Sequence, residues 1–363
     1  MVFNLPSIPK YRSRFEMLKC LSQMVDELTV VTVDAGGFKA QPGDYGPRVM
    51  ELPKARHHFL ASTITRKELL NADIIHDTFG YFLPLAMLNK LRPHGRYVTS
   101  VYGSSAGWLE KAVEIGYQNA DEIRGKKYMA IRESMNARLS DFVFVNCQNF
   151  QDDYVKHYGV NPGRIGIIPN SITLPNNACG SAKRKPGEPF RILHVGNISK
   201  IKGSYLLISA FNKLLKENFP VELTVIGTPV PYDLAHLGNI AGRGVKMMGH
   251  VPEDAMMKHY AEADVLVHPS YQEGMPRVIM EALSCGLPVI ASDLPGIRTI
   301  DSTGRFIKLM RNFQEDTLGQ LIVDEMHQSR KSVAFSKEAA EHMRTFSPEN
   351  TASMIYKTYQ RIV

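Results

Sequence analysis

An α/β fold built from two parallel-sheet domains is what this sequence predicts, and three observations predict it. Short, β-branched apolar runs alternate with helix-period segments along the chain. The alternation stops at residues 176–189, Asn-Asn-Ala-Cys-Gly-Ser-Ala-Lys-Arg-Lys-Pro-Gly-Glu-Pro, which are polar and lack an apolar period. It then restarts at Phe190. Strand–helix alternation is the mark of a parallel sheet, so residues 1–175 and 190–346 read as two domains around a 176–189 linker, with 347–363 as a terminal helix. Open α/β sheets bind ligands outside the carboxyl ends of their strands, and two such domains facing each other would enclose a cleft.

In the first half, residues 1–5 suggest a short strand, followed by a loop at Pro6-Ser-Ile-Pro9. Residues 12–27 read as a helix, with Phe15, Leu18, Leu21, Met24, Val25 and Leu28 at three- and four-residue steps. Thr29–Val33 is a strand closed by Asp34-Ala-Gly36-Gly37, and residues 38–56 read as a polar connection. Asn71–His76, Arg96–Val101, Asp141–Val145 and Arg164–Ile168 are further strands. Residues 107–139 read as largely helical, and Gln151–Tyr158 as a helix.

In the second half, Phe190–Val195 is a strand, followed by a Gly196–Gly203 loop and a helix over 204–217. Val221–Ile226 and Val245–Met248 are strands, and Asp254–Ala261 is a helix. Ala263–Ser270, an apolar run ending in a loop, leads into Tyr271-Gln-Glu273-Gly274-Met275-Pro276-Arg277-Val-Ile-Met-Glu281. A second apolar run follows at Leu287–Asp293, completing a βαβ unit. The chain closes with an amphipathic helix from about Glu349 to Ile362, placing Met354, Ile355, Tyr356 and Tyr359 on one side.

Composition bounds the function. The 363 residues are 44% hydrophobic and 22% charged, as in a folded globular chain, and no apolar run approaches the roughly 18 residues of a spanning helix. The N-terminus has no secretory pattern. Cys20, Cys147, Cys179 and Cys285 lack CxxC spacing, which suggests free thiols in a reducing compartment and argues against zinc. The expected location is cytoplasmic, with peripheral contact at the cytoplasmic membrane face. The net charge of +7 suits a nucleic acid, an anionic membrane or an anionic small ligand. No RNA-binding or finger pattern selects the first. Two basic groups could rest on anionic lipid: Lys10, Arg12, Arg14 and Lys19, interleaved with Phe15, Leu18 and Leu21, and Arg124, Lys126, Lys127, Arg132 and Arg138. Solvated helix faces would explain them equally well.

The stretch from Glu273 to Glu281 carries the chemistry. Gly274 lets backbone approach a ligand, Pro276 suits a first helical turn, and Gly286 suits a helix stop. The free N–H groups of that helix make an anion site, flanked by Glu273 in the loop and Glu281, which leans back toward the helix start. Two acceptors around an anion site match a sugar nucleotide. A capping Glu and a surface Glu would be the plain structural alternative.

These residues resemble the E-x7-E signature of retaining glycosyltransferases of family 4, which have the GT-B fold of two Rossmann-like parallel-sheet domains facing across a cleft. The resemblance extends through Val265-Leu-Val-His-Pro-Ser270, Glu281-Ala-Leu-Ser-Cys-Gly-Leu-Pro-Val-Ile-Ala-Ser292 and Val195-Gly196-Asn-Ile-Ser-Lys-Ile-Lys202-Gly203. It is weaker at Asp73–His76, Val98–Gly103 and Ile167–Asn170. It implies that a UDP- or GDP-sugar is bound by Gly196, Asn197, Lys202, Val251, Glu273, Gly274, Met275, Pro276, Arg277 and Glu281. Lys202 would hold the diphosphate and Glu273 the transferred sugar, as the catalytic pair. Glu281 would take the ribose hydroxyls, and backbone near Val251 would read the base. Tyr102, Gly103 and His76 are candidates for the sugar and acceptor side. The acceptor would be a glycan, a lipid-linked molecule or a small molecule. No cofactor and no metal are expected; His250, His259 and His268 fall in different elements. The terminal helix would return to the first domain.

Four departures accompany the resemblance. Asn197 stands where the family often has Arg, with Arg277 as its expected substitute. Tyr102 stands where many members have His. The stiff Leu5–Pro9 replaces a glycine-rich loop, and Thr299 replaces an acidic residue. Other readings remain open: a non-catalytic partner subunit, a phosphorylase or sugar-nucleotide epimerase of the same fold, and a basic nucleic-acid binder. A dinucleotide oxidoreductase is disfavoured because no GxGxxG follows a first strand.

Overall fold

The computed structural model of the protein describes residues 1–4, 12–32, 48–51, 71–78, 86–87, 90, 95–175, 185, 187–230, 244–328 and 331–363. The chain forms two compact units, one of Met1–Glu110, Ala120–Thr173 and Phe346–Val363, the other of Lys111–Asn119 and Leu174–Thr345.

In chain order the first half contains β1 (Val2–Asn4), α1 (Arg12–Ser22), β2 (Thr29–Thr32), β3 (Arg48–Glu51), β4 (Ile74–Thr78), β5 (Arg96–Ser100), α2 (Ser105–Glu114), α3 (Ala120–Leu139), β6 (Phe142–Val145), α4 (Gln148–Tyr158) and β7 (Ile165–Ile167). The seven strands form one parallel sheet in the order β3-β2-β1-β4-β5-β6-β7, with Phe3 opposite His76 and Val98 opposite Phe142. β4 and β6 are buried along their whole length, as strands covered on both faces must be.

Three expectations are corrected here. β3 lies inside 38–56, read as connection only; its Arg-Val-Met-Glu sequence is too short to show a period. The helical stretch 107–139 is two helices, because Gly116 adopts φ 63° and ends the first. The helix read over 12–27 stops at Ser22, whose hydroxyl turns back to the Lys19 carbonyl at 2.7 Å. The Leu5–Pro9 loop, the Asp34–Gly37 turn and all of the 176–189 linker except Lys185 and residues 187–189 lie outside the described residues.

The second half contains β8 (Phe190–Val195), α5 (Ser204–Lys216), β9 (Val221–Ile226), β10 (Val245–Gly249), α6 (Glu253–Glu262), β11 (Val265–His268), α7 (Arg277–Ser284), β12 (Val289–Ser292), α8 (Pro295–Ile300), β13 (Ile307–Met310), α9 (Glu315–Gln328) and α10 (Val333–Met343). α11 (Pro348–Ile362) ends the chain. Six parallel strands run β10-β9-β8-β11-β12-β13. Counted from β8, this is the doubly wound order in which the connections reverse direction between two central strands, here β8 and β11. Those two are in register at Val265 with Ile192 and Leu266 with Leu193. The core beneath joins Ile192, Leu223 and Val265 of the strands to Leu207 and Phe211 of α5 and Leu318 of α9. Each such side chain contributes about 1.5–3 kcal/mol by leaving water.

α11 completes the core of the first unit. Ala352, Ile355 and Tyr359 pack with Phe15, Leu18 and Leu21 of α1. Met354, read from sequence on the same side, is 41% exposed, because at about 100° per residue 354 lies more than a third of a turn from the middle of the buried 352–355–359 row. Beneath α11, Tyr359 and Ser100 occupy the two ring nitrogens of the fully buried His76.

Candidate active site

The order reversal between β8 and β11 opens a crevice at the carboxyl ends of those strands. Both loops singled out in the sequence leave from there: 196–203 after β8 and 269–276 after β11. Two bonds fasten them together. Tyr271 N–H donates to the Ile201 carbonyl at 2.8 Å, and the buried Ser270 hydroxyl donates to the same oxygen at 3.2 Å. Glycines permit the approach. Gly203 sits at φ 69°, and a Cβ there would stand 2.0 Å from the Pro269 carbonyl oxygen. A Cβ on Gly296 would stand 1.6 Å from the Gly274 carbonyl oxygen, so α8 packs backbone to backbone on the loop. Gly196 adopts φ 147° with open space around its missing Cβ.

This arrangement delivers Lys202 to Glu273. The Lys202 ammonium donates to Glu273 Oε1 at 2.6 Å, and His268 Nε2 donates to the same oxygen at 2.8 Å. The Glu273 side chain is only 11% exposed. Burial alone would raise its pKa, but Lys202 and His268 overcome that and hold the carboxyl well below the ordinary range. His268 is itself buried and stacks on His194 with ring centroids 6.3 Å apart. Burial pushes His194 down to about 4, and it is fixed by the Val267 carbonyl at 2.9 Å and the Ser204 hydroxyl at 3.1 Å.

Glu281 lies one turn into α7. It accepts from the Tyr260 hydroxyl at 2.9 Å and faces Arg277 Nε at 3.6 Å. Burial raises its pKa, against the pull of Arg277 and Tyr260. α7 begins at Arg277, with Pro276 at its N-cap position rather than inside the first turn, and no side chain caps it. Its far end is closed as expected near Gly286, at φ 69°: Leu287 N–H donates to the Ala282 carbonyl and Gly286 N–H to the Leu283 carbonyl, each at 2.9 Å. Gly274, Met275 and Pro276 are buried between Glu273 and that helix start.

Asn197 is exposed on the loop after β8, and Val251 follows β10 at the same edge of the sheet. Gly227 ties these ends together: its N–H donates to the Gly249 carbonyl at 2.8 Å, and a Cβ would stand 1.8 Å from the Gly196 carbonyl oxygen. Thr299 donates to the Pro295 carbonyl at 3.0 Å within α8. The remaining candidates belong to the first unit. Tyr102 carries the Arg14 guanidinium 3.5 Å above its ring, and Gly103 follows it in the loop after β5. Arg14, Ser100, Tyr102, Asn170, Ser171 and Thr351 are among the residues lining a cavity of about 30 Å³ there. Burial pushes His76 down to about 3, with Arg14 adding to the shift, so it is a neutral core histidine rather than a surface group.

Sequence reasoning missed Tyr260, and gave His268 a choice of core, surface or metal. The signal for Tyr260 was present: a tyrosine on the inward stripe of a helix needs a partner for its hydroxyl. Among the described residues, no group of three or more His, Cys, Asp or Glu side chains is placed to hold a metal ion. Cys20, Cys147 and Cys285 are free thiols. No described helix is long and apolar enough to cross a membrane.

Comparison with known proteins agrees with the geometry. Residues 12–174 match the family model described as Glycosyltransferase Family 4, and residues 189–324 match Glycosyl transferases group 1. A D-inositol 3-phosphate glycosyltransferase of Corynebacterium urealyticum is 25% identical, over 97% of this chain and 89% of that protein. That of Corynebacterium glutamicum is 24% identical over 93% and 82%. Among solved structures, sucrose-phosphate synthase of Thermosynechococcus elongatus superposes with a TM-score of 0.74 at 16% identity, covering 99% of this chain and 98% of that one. HepE of Anabaena, in complex with UDP-glucose, superposes with a TM-score of 0.72 at 16% identity, covering 99% of both chains. Two doubly wound parallel sheets, the loops joined at Lys202 and Glu273, and matches along most of the sequence agree: the chain belongs to glycosyltransferase family 4, with the GT-B fold.

Proposed function

We propose that the protein is a retaining hexosyltransferase that takes its sugar from a UDP- or GDP-sugar and passes it to a glycan, a lipid-linked molecule or a small molecule. The observation that carries this reading is the Lys202–Glu273 pair at the strand-order reversal, beside the uncapped start of α7. The leaving group is a nucleoside diphosphate, so the main catalytic demand is to neutralise charge growing on phosphate. Lys202 and the α7 N–H groups supply that neutralisation without a metal ion. Glu273, kept ionised, accepts hydrogen bonds from hydroxyls of the transferred sugar. Glu281 accepts those of the ribose, and backbone near Val251 reads the base. Transfer then proceeds on one face of the sugar through an oxocarbenium-like state, with the departing phosphate helping to deprotonate the acceptor. Arg277, at the start of α7, takes the place of the family's arginine at Asn197.

The UDP-glucose in the HepE structure supports a uridine donor, and the inositol-phosphate relatives support a small phosphorylated acceptor. We assign Tyr102 and Gly103 of the first unit to the acceptor side. The test is a thermal-shift screen of UDP- and GDP-sugars, followed by NMR of the product's anomeric configuration. A donor at a hundred times its dissociation constant adds about 2.7 kcal/mol of stability. Stabilisation by one nucleotide sugar and retention at the anomeric carbon support the proposal. No stabilisation by any donor, or an inverted product, sinks it.

A further inference from the structure

The two basic segments picked out in the sequence have opposite fates in the structure. In α1 the apolar partners Phe15, Leu18 and Leu21 are buried in the core. In α3 three of the apolar residues among the basic ones face water: Tyr128 is 61% exposed, Ile131 62% and Met135 45%. Steps of three and four residues place these three on one stripe of the helix. A surface helix ordinarily shows the reverse, with polar residues outward.

The inner side of α3 is firmly held. Glu133 accepts from Ser105 N–H at 2.8 Å, from the Ser105 hydroxyl at 2.6 Å and from the Tyr158 hydroxyl at 2.5 Å. Asn136 and Ala137 are buried, and Asn136 accepts from the Thr99 hydroxyl at 3.1 Å. The outer stripe is therefore presented on a fixed helix. By helical angle, Arg124 shares the stripe, Lys127 and Arg138 border one side, and Arg132 borders the other, its guanidinium 5.9 Å from the Tyr128 ring centroid. Lys126 turns away, over Trp108. The acidic groups of the helix are Glu133, engaged inward, and Asp121 and Glu122 in the first turn, with Asp121 4.0 Å from Arg124.

We propose that the outer face of α3 is a docking surface for an anionic lipid bilayer. Tyr128, Ile131 and Met135 would enter the boundary between headgroups and acyl chains, and Arg124, Lys127, Arg132 and Arg138 would meet the lipid phosphates. A basic border around an aliphatic centre has the polarity order of a bilayer surface. A nucleic acid offers phosphates but nothing to receive Ile131 and Met135. The placement does not depend on which sugar or acceptor the enzyme uses.

The test is co-sedimentation of the whole protein, without donor, with phosphatidylcholine vesicles containing or lacking phosphatidylglycerol. Binding is expected only with the anionic lipid, and it should weaken as salt rises. The pair Ile131→Asp and Met135→Asp, and separately the pair Arg124→Glu and Lys127→Glu, should each reduce binding roughly tenfold or more. Lys19→Glu on α1 should leave it unchanged. All these positions are on the surface, and unchanged thermal unfolding of each variant checks the fold. Wild-type binding by both α3 double variants overturns the proposal. So does equal binding to pure phosphatidylcholine, binding to arbitrary DNA with none to vesicles, or self-association through α3 with no vesicle binding.

Discussion

Lys202 and Glu273 are 71 residues apart in the chain and 2.6 Å apart in space. The pair holds the Lys202 ammonium against Glu273, beside the start of α7. Lys202→Ala should lower kcat by about 10²–10³ while changing donor KM less, as expected for a charge used mainly in the transition state. Steady-state kinetics with the preferred donor checks this. Wild-type kcat would remove Lys202 from the reaction.

Glu281 should behave differently. Glu281→Ala removes an acceptor for ribose and should raise donor KM by about 10- to 100-fold with kcat largely kept, the range of a hydrogen bond to a charged group. Tyr260→Phe leaves Glu281 in place but removes the 2.9 Å bond that steadies it. About a fivefold rise in KM is expected. If Tyr260→Phe proved more damaging than Glu281→Ala, the order of dependence proposed between them would be reversed.

The depressed Glu273 pKa has a signed consequence. A carboxyl with its folded pKa below the unfolded value of about 4.3 adds stability above that value and loses it as pH falls toward the folded pKa. Glu273→Gln should therefore be less stable than the wild type at neutral pH, and the gap should narrow below about pH 4.3. Denaturant titrations at neutral and acid pH would show it, and a gap constant across that range would contradict the assignment.

His194 gives a second window. Its pKa is pushed down to about 4 by burial, whereas an unfolded histidine titrates near 6.5. The unfolded chain takes the proton first, so stability present above about pH 6.5 is lost as pH falls to about 4. The loss should approach roughly 1.4 kcal/mol for each drop of one in pH between those limits. His194→Asn should flatten this part of the stability curve, read by chemical denaturation between those pH values.

Gly203→Ala tests the backbone that joins the two loops. The residue would have to hold φ 69° and bring a methyl to within 2.0 Å of the Pro269 carbonyl oxygen. A loss of about 3 kcal/mol or more is expected, with donor binding lost alongside. Gly304→Ala, also at positive φ but with open space around it, should lose only about 1–2 kcal/mol. Equal effects would show that the contact with Pro269 is not what fixes the loop.

The sequence carried much of this because its information was local. Strand runs such as Val265–His268 and the Gly286 helix stop are written in consecutive residues. The strand order was not legible: nothing local says that β8 lies beside β11, and that adjacency brings Lys202 to Glu273. β3 escaped because four residues carry no readable period, and the 107–139 break because one glycine decided it. Met354 lies off the buried row by helical phase, so its exposure was legible in the spacing. Tyr260 acts through Glu281, 21 residues away. The two basic segments looked alike until burial separated them.

The bond between His76 and Tyr359 spans 283 residues and ties the order of synthesis to the order of folding. α1 is made long before the helix that covers Phe15, Leu18 and Leu21. At ordinary elongation rates of about 5–20 residues per second, the first unit waits of the order of tens of seconds for its closing piece. The second unit, whose strands and helices are complete before α11 begins, can reach its native core first. Newly made protein should therefore pass through a stage in which the later-made sheet is folded while the earlier one still exposes α1. Chaperone capture is expected to concentrate on that helix.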